Sequence, residues 1–194
     1  AWEVCYQDDV ARCILSGLYK CLFLNDDTVY PEVCRALDAM VRLTARDGCR
    51  RPRFDLPDVT EETFAKCRAE EHSSLSVHHN SYLLGALLLA HKVKKNPVYL
   101  EIGRRGLETL MAAYPDTELE HSETQEKCRL VFPLAALYDA TKDEKHREML
   151  YRVVADLEKV KHPSGGYYEW DTEYRAKYSR VSSTECSLLT ENGD

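Results

Sequence analysis

The sequence has no run of about 18 apolar residues, the length a bilayer-crossing helix needs, so no membrane partner is expected. It also has no surplus of positive charge. Lys and Arg number 26 against 33 Asp and Glu, a net of −7, and no basic stripe is present to neutralise a phosphate backbone, which argues against nucleic acid. The opening AWEVCYQDDV has neither the basic end nor the apolar centre of a secretion signal. No CxxC pair occurs among the eight cysteines, Cys5, Cys13, Cys21, Cys34, Cys49, Cys67, Cys128 and Cys186, so no metal and no cofactor are expected. Several of these cysteines fall among apolar residues of predicted helices. Read as small buried thiols, they indicate a reducing, cytoplasmic setting.

What the chain does have is an internal repeat. Leu87, Ala90, Asn96, Pro97, Tyr99 and Leu110 recur in register with Leu134, Leu137, Asp143, Glu144, His146 and Leu157, each 47 residues on (87 to 134, 110 to 157). Each segment reads as helix, tight polar turn (KKNP or KDE), helix. Pro97 suits the first turn of its helix, where a missing N–H costs nothing. A weaker third copy runs from about Asp8 to Asp47, with its turn at NDDTVYP and Gly48 as a helix stop.

The two helices of a hairpin differ in kind. First helices, from Val10, Tyr82 and Leu130, are apolar nearly all round and require cover on every side. Second helices set one apolar stripe against a charged face, as Met149, Leu150, Val153 and Leu157 do against Arg147, Glu148, Arg152 and Asp156. The fold class expected is therefore all-α: an α/α toroid, or an open arc of about three helical hairpins, with an inner ring wrapped by an outer one. A curved solenoid with one buried layer is the structural alternative. Residues 1–194 are read as a single helical-hairpin domain.

Links between hairpins are long, roughly 47–77, 115–122 and 161–187, and all fall on the face holding the inner-helix N-termini. Long loops in a compact domain concentrate function. The stretch HPSGGYYEWD sets Tyr167, Tyr168 and Trp170 beside Glu169 and Asp171, the mixture of aromatic plates and carboxylates that sugar recognition uses. A loop anchored by Trp170 and solvated acids would give the same string. In EHSETQEKCR, Ser122 and Gln125 form a capping box. Glu126 and Arg129 either point into the ring or pair with each other along the helix. Asp8, Asp9 and Arg12 open the first inner helix, where the helix dipole alone favours acids. His78, His79 and Asn80 open the second, and adjacent imidazoles are expected to diverge, making a poor metal site. Glu191 in the tail adds another carboxyl. The candidate acids for glycoside cleavage are Glu169, Asp171, Glu126 and Glu191, and the candidate sugar contacts are Asp8, Asp9, His79, Arg129, Tyr167, Tyr168 and Trp170.

These hairpins, with QDDVAR at 7–12 and the GGYYEWD loop, resemble the six-hairpin glycosidase superfamily. The resemblance implies an (α/α)6 barrel with a carbohydrate site at the inner-helix N-termini. It also implies that about three hairpins are a fragment of a larger barrel, with exposed apolar edges through which the arc self-associates. Two functions are carried forward: a glycoside hydrolase acting through paired carboxylates, and a non-catalytic helical-repeat module binding a peptide or protein on its concave face.

Overall fold

A computed structural model describes residues 4–167, and the fold is all-α. The helices are α1 (Gln7–Leu24), α2 (Tyr30–Arg42), α3 (Glu61–Ala69), α4 (Val77–Val93), α5 (Pro97–Ala113), α6 (Glu123–Thr141) and α7 (Glu144–Glu158). A short antiparallel pair, β1 (Val4–Tyr6) with β2 (Arg53–Asp55), is in register Cys5 to Phe54.

Three hairpins form as the repeat requires: α1–α2, α4–α5 and α6–α7. Side-chain caps at the turns explain where α5 and α7 start. Asn96 accepts from the N–H groups of Val98 and Tyr99, with Pro97 behind it, and Asp143 accepts from Lys145. Helix α4 packs against α1 on one side and α6 on the other, with α5 across its back. It is buried on nearly every face, as its apolar sequence demands; Leu83, Leu84, Leu87 and Leu88 are closed to solvent.

The two flanking first helices depart from expectation. Helix α1 keeps an open side along Arg12, Cys13, Ser16, Tyr19 and Phe23, and α6 leaves Ala135 exposed and Val131 and Phe132 half-buried. The physical reason is position: only α4 has an inner neighbour on both sides among the described residues. Phe23 and Leu24, 78% and 71% exposed, crown the open end of α1.

The link after the first hairpin is not a bare loop. Helix α2 ends at Arg42, so Gly48 does not stop it. Instead Gly48, at φ 85°, lets the chain press on α5: a Cβ there would lie 2.4 Å from the backbone nitrogen of Gly106. Beyond it come β2 and α3, which cover a small separate core of Leu43, Phe54, Phe64 and Cys67. Arg50 in this link is fully buried; its guanidinium reaches the sulfurs of Met40 and Cys5 and lies over the Phe54 ring.

Candidate functional site

The N-terminal turns of α1, α4 and α6 converge on one rim. Two Ser caps place the chain there: Ser76 accepts from the N–H of His79, and Ser122 from that of Gln125, which realises half of the capping box. Asn80 then ties the rim together. Its Oδ1 accepts from the buried Gln7 side chain (2.9 Å) and from the N–H of Arg50 (2.9 Å), while its Nδ2 donates to the carbonyls of Ser76 and Ser74. Every hydrogen-bonding position of this amide is used. It therefore fixes α1, α4 and the link relative to one another.

Inside this frame stands Asp8, its side chain 8% exposed. Arg12 Nη2 lies 3.0 Å from its Oδ2, Arg129 Nη1 3.8 Å, His78 Nε2 3.5 Å, and His79 Nδ1 is 3.6 Å from its Oδ1. The two arginines come from α1 and α6 and both lie against the Tyr82 ring, at 5.5 and 5.0 Å from its centre. Arg129 also donates to the carbonyl of His78. Of the two roles left open for Arg129, it is the one that reaches across to α1 and α4.

On the far side of His78 stands Glu126, with Oε1 3.9 Å from its Nδ1. Glu126 is almost fully buried. Its Oε1 accepts from the N–H of Glu120, and its Oε2 has no hydrogen-bond partner. The far side of His79 faces Glu120 in the same way, Nε2 to Oε1 at 4.0 Å. His121 closes the group, its ring 4.6 Å from that of His78. A small cavity of about 90 Å³ opens beside Glu126, lined also by Val77, Tyr114, Thr117, Glu123 and Leu130.

The two carboxyls that flank His78 have opposite surroundings. Burial by itself would raise Asp8, but His78, His79 and the Arg12 guanidinium facing it prevail and hold it well below the usual carboxylate range. Burial dominates at Glu126. The backbone N–H of Glu120 and the charge of Arg129 offset it only in part, and the carboxyl is pushed up to about 7. Near neutral pH one carboxyl is ionised and the other is poised between its two forms.

Of the residues singled out in the sequence, Asp8, His79, Glu126 and Arg129 meet in this cluster. Asp9 points outward, 67% exposed, and pairs with Arg12. Tyr167 lies elsewhere, in a bridge with Lys161 beyond the C-terminal end of α7, its hydroxyl 3.5 Å from Glu158. Tyr168, Glu169, Trp170, Asp171 and Glu191 fall outside the described residues.

One expectation is overturned. The rings of His78 and His79 do not diverge: their centres are 4.9 Å apart, and each presents a nitrogen to Asp8. Adjacent positions on a helix leave about 100° between side chains, and first-turn rotamers swing both rings toward the same carboxylate. Asp8, His78 and His79 thus form a group whose ligand atoms all lie within 4.8 Å of one another, where no metal ligand set was foreseen. Glu120 was missed altogether. Its signal was its place at the head of EHSETQE, one residue before His121.

No helix among the described residues is long and apolar enough to cross a membrane, and the seven described cysteines are free thiols. No protein-family model, curated protein or solved structure matches this chain.

Proposed function

We propose that this rim is the acid–base centre of a carbohydrate-cleaving site, in a chain built as an arc of the six-hairpin glycosidase type. The observation that carries the reading is the pair Asp8 and Glu126: two buried carboxyls on opposite nitrogens of one imidazole, one among cations and one among apolar walls. Glycoside hydrolysis needs a protonated carboxyl to release the leaving oxygen and an ionised one to activate water or attack carbon. Glu126 has the surroundings of the first and Asp8 those of the second. This moves Asp8 from the sugar contacts to the acid–base pair.

The remaining parts fit a sugar. Tyr82, partly exposed and flanked by Arg12 and Arg129, offers an aromatic face for a pyranose, and the two guanidiniums offer donors for its hydroxyls. In this reading Glu169, Asp171, Tyr168 and Trp170 add further carboxyls and an aromatic plate from the GGYYEWD loop. The free thiols support a reducing, cytoplasmic location.

The test is a reducing-sugar assay over a panel of oligosaccharides and aryl glycosides, run on the parent and on Glu126→Gln and Asp8→Asn. Each substitution is expected to lower kcat by about 10²–10⁴-fold, the range for loss of a general acid or base. A folded Glu126→Gln variant that cleaves as well as the parent would remove Glu126 from the chemistry.

A further inference from the structure

We propose that Asp8, His78 and His79 bind a divalent first-row transition-metal ion, with Glu126 and Glu120 as the carboxylates that orient the two imidazoles. The contacts around Asp8 have the spacing of ligands around an ion more than that of hydrogen bonds. Neighbouring ligands of a tetrahedral ion with bonds of 2.0–2.2 Å stand about 3.4 Å apart. The two His–Asp8 contacts, His78 Nε2 to Oδ2 and His79 Nδ1 to Oδ1, are 3.5 and 3.6 Å, close to that edge length, and one ligand atom from each of the three residues lies within 4.8 Å of the others.

The outward nitrogens carry the argument further. A metal-bound histidine commonly turns its other ring nitrogen to a carboxylate, which fixes the tautomer and ring orientation. Each ring here has a carboxylate on its outer side, at 3.9 and 4.0 Å, near enough to take up that role as an ion draws the rings together. His78 has Nε2 on Asp8 and Nδ1 on the Glu126 side; His79 has Nδ1 on Asp8 and Nε2 on the Glu120 side. His79 Nδ1, the nitrogen that faces Asp8, is buried and has no hydrogen-bond partner. A buried ring nitrogen left without a partner beside a carboxylate calls for a ligand.

Charge also permits a cation. Asp8, Glu120 and Glu126 face Arg12 and Arg129, one carboxyl group more than the two guanidiniums. Arg12 and Arg129 compete for Asp8 Oδ2; Arg12, the nearer, is half-exposed and can swing into solvent, while Arg129 stands off at 3.8 Å and is held by the carbonyl of His78. Two imidazoles and one carboxylate with open positions suit Zn²⁺ and its neighbours Co²⁺, Fe²⁺ and Mn²⁺ over Ca²⁺ or Mg²⁺. An ion held here occupies Asp8, so it would inhibit the hydrolysis proposed above. Its binding does not depend on that hydrolysis.

Chelator-treated, dialysed protein titrated with Zn²⁺ in a calorimeter should bind one ion saturably, and Co²⁺ should give an intense visible spectrum of low coordination number. His79→Gln and Asp8→Asn should each weaken binding at least tenfold. Arg12→Ala, which removes the nearer competing cation, should tighten it threefold or more. That opposite sign separates ligation from general damage to the fold, which circular dichroism checks independently. Absence of saturable Zn²⁺ binding below millimolar concentration, or binding unchanged in His79→Gln, would overturn the proposal.

Discussion

The two ends of the same inner helices treat charge in opposite ways. At the hairpin turns, charges are exposed and locally answered: Asp139 lies between Lys92 (2.7 Å) and Lys142 (2.6 Å), Asp27 meets Lys94 at 2.7 Å, and Asn96 and Asp143 cap the outer helices. At the N-terminal rim, charges are buried and only partly answered, with Asp8 among four cationic or titratable partners and Glu126 keeping one oxygen bare. Burying carboxyls beside imidazoles costs stability unless something else is gained. On the proposed reading, the rim is the chemical end and the turns are the structural end.

Three substitutions sharpen the comparison. The largest effect is expected at Glu126. Its folded value of about 7 exceeds its ordinary 4.5, so its protonated form favours the fold. That contribution is full below pH 4.5 and is lost as pH rises through 7. Denaturant melts should show about 2–3 kcal/mol less stability from this group at pH 8 than at pH 5. His78, Arg129 and Glu120 face it, so comparison with Glu126→Gln isolates its share. The variant should lack that drop.

At the turn end, Asn96→Ala should cost about 1 kcal/mol at both pH values, the worth of a helix cap. The smallest change is expected for Asp139→Asn, under about 0.5 kcal/mol and fading with added salt, because its lysine partners are exposed. A turn-end variant as pH-sensitive as Glu126 would break the distinction between the ends.

Much of the frame was legible in the sequence, because local signals decided it. The 47-residue repeat, Pro97 after its cap, and the all-round apolar run at Leu83–Leu88 each correspond to structure. Helix α3 was not legible: it is short, weakly amphipathic and buries only Phe64 and Cys67. The candidate rim lies on the face that loop length singled out, and Asp8, His79, Glu126 and Arg129, read from their helix-start positions, are brought together there. Its pairings were not, because they depend on which helices are neighbours. Arg129 could have paired within α6, and only the packing of α1, α4 and α6 brings it to Asp8. The convergence of His78 and His79 likewise depends on Asp8 arriving from another helix.

The most direct test of the rim as an acid–base centre is a carbon-detected NMR titration of the side-chain carboxyls in metal-free protein, with Glu126→Gln and Asp8→Asn for assignment. The account predicts that Glu126 titrates with a midpoint of about 7 while Asp8 stays ionised throughout the range from pH 8 to pH 4. Glu126 and Asp8 titrating together near the ordinary carboxylate range would contradict it.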